Sequence, residues 1–242
     1  MRIHEQEQLL FERWLVRRPG LVFDGVVDEG CYERSRPKLL FLLKEVSNPK
    51  RLERKPEGWD LRVFLYDGGI RVLWDNVARW VAALRADPPP PWSEVAFVSD
   101  ERRANALRSI VAMNLKKAPG GGDADLNHIR QAATEDQTFL RSQYSLYEPD
   151  IVMCCGGGVR SLFSEIILQD DRHEWHPAAH GFRYADVGIG RWAIDFRHPQ
   201  VRSSHERVYA ELVDVLSDVR CAMKGLHNQR MQRTHSRVTP RA

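Results

Sequence analysis

Four short apolar segments, each followed by polar residues, constrain the fold of this chain more than any other feature. Segments of this length are typical of strands, and near-continuous hydrophobicity indicates parallel strands that are covered on both faces. Helical patterns lie between them, so the sequence predicts an α/β fold: a three-layer α/β/α sandwich with a mostly parallel central sheet. The predicted strands are residues 38–43, 110–115, 151–153 and the second of two strands within 182–196.

Helices and connections are expected to surround this sheet. An Asp24-Gly25 turn interrupts a further predicted strand over residues 21–27, and residues 50–69 read as a long loop of the kind that often carries function. The prolines at 88–91 predict a stiff spacer but no domain boundary, because the elements on both sides are needed for one sheet. Apolar periodicity predicts helices over 5–18, 70–85, 101–109, 134–146, 159–168 and, from a Ser203–Glu206 capping box, to about 219.

Composition favours one domain, which we expect to cover residues 1–219. The chain has 242 residues, 43% of them hydrophobic, which is enough to bury a substantial core. No apolar run approaches the roughly 20 residues that cross a bilayer, and the N-terminus lacks an apolar signal segment, so no membrane association is expected. Cysteines 31, 154, 155 and 221 show no CxxC spacing, and Cys154 and Cys155 are expected to be buried thiols. A reducing, cytoplasmic location is therefore predicted.

Residues 220–242 are predicted to form a basic, disordered tail. They contain six Lys or Arg residues and no acid, although the whole chain carries a net charge of only +3. Such a segment attracts polyanions through counterion release. A disordered tail that only increases solubility is an equally good interpretation of this composition.

Polar side chains at the ends of the predicted strands are the candidate functional residues. Glu45, Asn114 and His198 each follow or end an apolar segment, and open α/β sheets build their sites where parallel strands end. A carboxylate, an amide and an imidazole can together bind a flat base edge and stabilise a departing anion. Structural alternatives remain: Asn114 can satisfy backbone groups, His198 can be a hydrogen-bonded core residue, and Glu45 can form an ion pair with Lys44.

Two further motifs allow both a functional and a structural interpretation. Gly156-Gly157-Gly158 lies between a strand and a helix, where it can bind a phosphate or simply permit tight packing, and it matches neither a Walker A loop nor GxGxxG. The segment 173–180 contains three histidines but no HExxH pattern, and a solvated loop is favoured over a metal site. No GxSxG elbow of a serine hydrolase is present. No metal is predicted.

Taken together, the strand-end segments resemble the uracil-DNA glycosylase superfamily, over about residues 37–220. Lys44-Glu45-Val46-Ser47-Asn48 occupies the place of the Gly-Glu-Ala-Pro-Gly motif found in one bacterial and archaeal group, with only Glu45 identical. The segment 114–120 is similar to that group's Asn-Val-Val-Lys-Cys strand end, and 149–156 resembles the strand that ends at a glycine. His198-Pro199 matches the final His-Pro motif.

The resemblance implies a DNA glycosylase that excises uracil or another modified base from single- or double-stranded DNA, and we expect a monomer. Asn114 would bind the edge of a flipped base, Tyr66 would stack on it, His198 would donate to the departing anion, and Glu45 would orient water or stabilise the sugar cation. Phosphate contacts are assigned to Lys116, Lys117 and Arg202.

Two departures from the family pattern bear on these expectations. The iron–sulfur ligation of the most similar group is not reproduced, because Cys154 and Cys155 lie within a strand, so no cofactor is implied. Lys44 stands where the family has a glycine, and a lysine there can attack the sugar, block the pocket or signal a different base. The alternative is therefore a catalytically divergent protein of this fold that binds nucleic acid or processes nucleotides.

Overall fold

The computed structural model describes residues 1–46, 59–120, 125–169 and 173–238. The first half of the chain forms α1 (Ile3–Arg17), β1 (Val22–Phe23), β2 (Gly25–Val26), α2 (Glu29–Arg34), β3 (Leu39–Leu43), β4 (Trp59–Asp60), α3 (Leu61–Tyr66), α4 (Arg71–Arg85), α5 (Trp92–Val95), α6 (Asp100–Arg108) and β5 (Ile110–Asn114). The second half forms α7 (Leu126–Glu135), α8 (Gln137–Tyr147), β6 (Ile151–Cys155), α9 (Val159–Leu162) with a π-helical extension over Phe163–Leu168, β7 (His176–Pro177), β8 (Arg183–Gly188), β9 (Arg191–Phe196) and α10 (His205–Val238).

Seven of these strands form one mixed sheet in the order β2-β5-β3-β6-β9-β8-β7. The four central strands, β5, β3, β6 and β9, are parallel to one another. The outer pairings, β2 with β5, β9 with β8 and β8 with β7, are antiparallel. The prediction of an α/β fold is confirmed, whereas a mostly parallel sheet is not, because antiparallel strands extend the parallel centre on both sides.

Both faces of the sheet are covered, because the strand side chains alternate between two hydrophobic cores. In β3, Leu39, Phe41 and Leu43 pack into one core together with residues of α4 and α10. Leu40 and Leu42 point the other way, into a core shared with α1, α8 and α9. All five side chains of β3 are buried, which explains why this strand is a continuous apolar run in the sequence.

Most predicted elements are present, but several segments differ from the prediction. The segment 50–69, predicted as a loop, contains β4 and α3 in its described part. The helix predicted over 134–146 corresponds to α8, and a helix that was not predicted, α7, precedes it directly, with only Asp136 between them. Asp136 is fully buried and accepts a bond from Arg18 Nε at 2.6 Å.

The expected end of the last helix at about 219 is wrong. Helix α10 continues from His205 to Val238, so residues 220–238 are helical. Among the side chains of α10 that the structure describes, the last fully buried apolar one is Val219. Arg220 then donates through Nη2 to the carbonyl oxygens of Ala83 at 3.0 Å and Ala86 at 2.6 Å. The structured part of the domain thus extends beyond the predicted boundary.

The parallel centre of the sheet brings four strand ends to one side, which we call the carboxyl edge. It consists of the residues at and directly after the ends of β5, β3, β6 and β9. The β3–β5 pairing continues past the strands: the Lys116 amide donates to the Lys44 carbonyl at 2.9 Å, and the Gly120 amide donates to the Val46 carbonyl at 2.9 Å. Across the described residues, no helix is both long and apolar enough to span a membrane.

Candidate functional site

His198 lies at the carboxyl edge, two residues after β9, and its ring is held in one orientation. The Gln200 amide donates to His198 Nδ1 at 3.2 Å, which leaves Nε2 to carry the proton of the neutral ring. Gly156 packs against the same residue: a Cβ at position 156 would lie 3.2 Å from His198 Cβ. Burial, and after it the positive charge of Lys44, lowers the pKa of His198 below its ordinary value of 6.5. A neutral hydrogen-bond donor is therefore available at this edge.

Asn76, on α4, fixes the backbone of the His198 turn. Asn76 is buried and donates through Nδ2 to the Pro199 carbonyl at 2.7 Å. Its Oδ1 accepts a bond from Arg79 Nη1 at 3.0 Å, and Arg79 also donates to the carbonyl of Val95 at 3.1 Å. This pair was not predicted from the sequence. Two polar residues on the apolar face of a predicted helix could have indicated it, because such residues need buried hydrogen-bond partners.

Glu45 lies at the same edge but is already engaged. Its carboxylate forms an ion pair with Lys116, and its side chain is only 6% exposed. Gly120 packs directly against this carboxylate, so that any Cβ at position 120 would overlap it. Of the alternatives left open by the sequence, the ion pair is therefore present, although its partner is Lys116 and not Lys44. The predicted phosphate contact of Lys116 competes with this ion pair.

Lys44 is a cation without a carboxylate partner among the residues that the structure describes. It directly follows β3, and β3 runs parallel to β6 with Leu42 opposite Cys154. Strand β6 in turn lies beside β9, and Gly156, directly after β6, contacts His198. Lys44 is half-buried, and its charge is close enough to lower the pKa of His198. Lys44 and His198 therefore belong to one site.

Asn114 ends β5 at this edge, but its side chain is enclosed. It is 1% exposed, and both its backbone amide and its Nδ2 donate to Asp24 Oδ2, at 2.8 Å and 3.0 Å. The expectation that this amide binds a base edge is therefore contradicted by its placement. The structural alternative, an amide that satisfies buried groups at a strand end, is what the contacts show.

Lys117 is fully buried, so the prediction that it contacts phosphate is wrong. Its Nζ forms an ion pair with Asp24 Oδ1 at 2.5 Å and lies 5.3 Å from the centre of the Trp14 ring. Burial lowers the pKa of Lys117, and the neighbouring carboxylate of Asp24 opposes this effect. A lysine that is enclosed by α1 and the β1–β2 turn has no access to a polyanion.

The Asp24 carboxylate belongs to a longer buried network that links α8 and α1. Gln143 Nε2 donates to Asp24 Oδ1 at 3.0 Å and to the Tyr147 hydroxyl at 2.8 Å. Tyr147 donates to Glu7 Oε1 at 2.7 Å, and burial raises the pKa of Glu7. The other oxygen of Glu7 accepts a bond from Arg62 at 2.8 Å. This network fixes the β1–β2 turn against the carboxyl edge, and it has no exposed group suited to substrate.

Tyr66 lies at the opposite edge of the sheet, so its assignment as the stacking residue is wrong. The Arg108 guanidinium stacks on its ring at 4.2 Å, and Arg108 precedes β5 whereas Asn114 ends it. Trp59, at the start of β4, is linked through backbone hydrogen bonds to the segment that contacts Lys117. The Trp59 amide donates to the Leu21 carbonyl at 3.1 Å, and the amide of the next residue, Val22, donates to the Lys117 carbonyl at 2.8 Å. The uncertain register of the loop produced the wrong assignment.

The remaining predicted residues and motifs are placed as follows. Arg202 is exposed in the turn between His198 and α10, where it can reach a polyanion. Gly158 packs against Leu126, since a Cβ there would lie 2.5 Å from Leu126 Cδ2, which together with the Gly156 contact favours tight packing as the role of the glycine run. The rings of His173, His176 and His180 contact three different partners: the Asp186 carbonyl, Tyr184 and Asp214.

A large groove lies away from all of these residues. It measures about 750 Å³ and is lined by residues of α4, α10 and the starts of β6 and β9, among them Leu84, Ile151, Trp192 and Leu216. Because Ile151 and Trp192 begin or nearly begin their strands, the groove opens at the amino edge of the sheet. Residues 47–58 and 121–124, which adjoin the carboxyl edge in sequence, are outside the described part of the chain.

Comparison with protein-family models finds no match to this chain, and comparison with curated proteins finds none. The chemistry of the carboxyl edge must therefore be judged from its own groups. These are a neutral imidazole donor, a half-buried lysine, a carboxylate held by a second lysine, and an exposed arginine. Together they can bind an anion and stabilise negative charge that develops on a leaving group.

Proposed function

We propose that this protein is a DNA glycosylase of the uracil-DNA glycosylase superfamily type, which excises uracil or another modified base by hydrolysis of the N-glycosidic bond. The observation that carries the proposal is the His198 ring. It stands at the carboxyl edge on a turn held by Asn76, with Nδ1 occupied and Nε2 free to donate. Loss of a base from the sugar leaves negative charge on the base, and a fixed neutral donor stabilises that charge in the transition state.

The placement of the motifs supports the proposal in a second way. All four strand ends that carry the resemblance meet at one edge, and the glycine at the end of β6 allows the histidine to pack closely. Arg202 lies next to this edge in the chain and is the exposed cation best placed for a flanking phosphate. Extrusion of the base costs a few kcal/mol, which contacts of this kind offset.

The test is base release from DNA under single-turnover conditions. Single- and double-stranded oligonucleotides that carry uracil, and a panel of other deaminated or alkylated bases, would be incubated with protein and cleaved at abasic sites by alkali. We expect cleavage of at least one substrate, and a loss of about 100-fold or more in His198→Ala, the usual scale for removing one transition-state donor.

His180→Ala is the matched control, because His180 pairs with Asp214 in a different region and should leave the rate unchanged. A wild-type rate in His198→Ala would remove the assigned role of this histidine. Absence of alkali-labile sites with every base in the panel would contradict the proposed activity.

A second candidate function is supported by Asn114. Its amide donates to Asp24 in a buried network, and the carboxylate of Glu45 is paired with Lys116. Two of the three expected catalytic groups are thus committed to structural partners, which favours a divergent protein that binds nucleic acid without cleaving it. Salt-dependent binding of an oligonucleotide without base release would support this candidate over the glycosylase.

A further inference from the structure

Lys44 is a half-buried charged group at the carboxyl edge that no opposite charge among the described residues neutralises. Glu45, its neighbour, is paired with Lys116, and Asp24 is paired with Lys117. A half-buried ammonium group loses hydration, and it regains the lost free energy only if an anion binds beside it. The described structure supplies no such anion for Lys44.

His198 completes the surroundings of this lysine. Strand β6 lies between β3, which Lys44 follows, and β9, after which His198 stands. The absence of a side chain at Gly156, directly after β6, lets His198 approach to 3.2 Å from where a Cβ would be. The Nε2–H of His198 and the ammonium group of Lys44 are both hydrogen-bond donors. Two donors, one of them charged, on either side of a position without a side chain make a site for a small anion.

We propose that Lys44 and His198 form one anion-binding site, in which Lys44 supplies the positive charge that stabilises the departing base as an oxyanion. This inference rests on the proposed glycosylase function and deepens it. The ligand class is a planar imide base, such as a pyrimidine dione, whose carbonyl oxygens carry the negative charge after the bond to the sugar breaks. In the balanced step, water attacks the anomeric carbon, the base leaves with the bonding electron pair, and the proton of water passes to solvent or to the base.

The proposal changes the roles expected for two adjacent residues. The family resemblance assigns a catalytic role to Glu45 and leaves the role of Lys44 open. In the structure the Glu45 carboxylate is held between Lys116 and Gly120, whereas Lys44 has no carboxylate partner among the described residues and its charge lowers the pKa of His198. We therefore expect Lys44→Met to slow base release by about 100-fold or more, on the scale of other groups that stabilise a developing charge. Lys44→Arg should restore part of this loss.

Lys38→Met is the matched control. Lys38 directly precedes the same strand at its amino edge, where its ammonium group lies 5.4 Å from the centre of the Tyr32 ring. This substitution removes the same charge from the whole molecule without touching the site, so that a general electrostatic effect on DNA binding would appear in both variants.

The first measurement does not depend on activity. The His198 ring would be followed by NMR through a pH titration in the wild type, Lys44→Met and Lys38→Met. Since the Lys44 charge lowers the pKa of His198, its removal should raise that pKa toward 6.5, and Lys38→Met should not. The neutral donor is present above this pKa, so the acidic limb of any pH–rate profile should move upward in Lys44→Met. An unchanged His198 titration would overturn the proposal.

The second measurement uses free 5-fluorouracil as the probe. Its ring is more acidic than that of uracil, so its anion needs less stabilisation. We expect 5-fluorouracil to shift the His198 signals, with binding at least 10-fold weaker in Lys44→Met. In base release, the defect of Lys44→Met should be smaller for 5-fluorouracil than for uracil.

The outcomes separate the two proposals. Lys44-dependent binding of 5-fluorouracil without base release from any DNA would retain the anion site and refute the glycosylase function. Base release at the same rate in Lys44→Met and the wild type would retain the function and refute the role of Lys44. A covalent adduct trapped by borohydride, absent in Lys44→Met, would also overturn this role, because it would identify an amine nucleophile.

Discussion

At the residue scale, the buried pair of Lys117 and Asp24 shows how an interior charge is tolerated. The lysine is fully buried, and the carboxylate is satisfied on both oxygens by Lys117, Asn114 and Gln143. Transfer of either charge from water is costly, and the mutual attraction together with the amide bonds offsets that cost. The pair therefore contributes to the stability of the fold mainly when both partners are present.

We expect Lys117→Met to lower the free energy of unfolding by about 3–5 kcal/mol, because it leaves Asp24 as an uncompensated buried charge. The double variant Asp24→Asn with Lys117→Met should be less destabilised than this single variant. Urea denaturation measures both. Arg130→Met is the control, since its partner Glu165 is 47% exposed, and such surface pairs contribute about 0–1 kcal/mol. Equal stability of Lys117→Met and the wild type would contradict the burial of this lysine.

The cysteines give a second prediction at this scale. Cys154 and Cys155 are buried in β6, and burial raises the pKa of both thiols, whereas Cys221 is exposed on α10. Only the thiolate reacts with a disulfide reagent. At pH 8, Cys221 should react rapidly with such a reagent, and Cys154 and Cys155 should react only after denaturation. Cys221→Ser should remove the fast phase, and rapid modification of either strand cysteine in native protein would be inconsistent with this placement.

At the scale of elements, α10 covers one face of the sheet and also caps the C-terminus of α4. Its buried side chains run from Val208 to Val219 and pack on the core beneath β9. Arg220 then donates to three carbonyl groups at the end of α4, those of Ala83, Leu84 and Ala86. The positive charge of Arg220 at the C-terminus of α4 also interacts favourably with the dipole of that helix. The expected boundary at 219 would cut between the packed part of α10 and this cap.

Truncation therefore has to be made at two positions. Removal of residues 225–242 keeps Arg220 and should leave the free energy of unfolding within about 0.5 kcal/mol of the full chain. Removal of residues 220–242, or Arg220→Ala, should cost about 1–3 kcal/mol, the range for hydrogen bonds from a charged donor. Thermal or urea unfolding of the three proteins is the measurement. Equal stability of both truncated chains would show that the Arg220 contacts contribute nothing.

For the whole molecule, the distribution of charge matters more than its sum. We expect binding to DNA that weakens steeply with salt, and each lost phosphate contact should reduce the slope of log K against log salt by about 0.9 for a duplex. Arg202→Ala should produce such a change, whereas Lys117→Met should not, because Lys117 is enclosed. Fluorescence anisotropy over a salt series distinguishes the two.

A comparison of the full chain with a chain that lacks residues 225–242 measures the contribution of the basic segment to DNA binding, because the domain stays folded in both. A reduced slope in this truncated chain would assign phosphate contacts to the end of α10. The same slope and affinity as in the full chain would leave the basic segment without a role in binding. The comparison avoids the truncation at 219, in which lost stability and lost affinity would be confounded.

Local patterns in the sequence determined the α/β class, most strands and the end of β9 at which His198 lies. Continuous apolar runs predict buried strands wherever both faces are covered, and this depends on neighbouring residues alone. The last helix begins at His205, one residue later than a cap at Ser203 predicts, because Ser204, and not Ser203, accepts the amide of Arg207, at 3.5 Å. Such shifts of a single residue do not alter the fold.

The partners of the polar side chains were decided only by the tertiary structure. Asp24 is 90 positions from Asn114 and 93 from Lys117, and Glu45 is 71 from Lys116, so no local pattern distinguishes these ion pairs from free site residues. Tyr66 lies at the opposite edge because a short helix follows β4 in a segment that reads as loop. Strand ends can be predicted from sequence because a buried strand leaves a pattern of apolar residues within a short segment. The pairing of charges cannot be predicted in this way, because it depends on which distant segments the fold brings together.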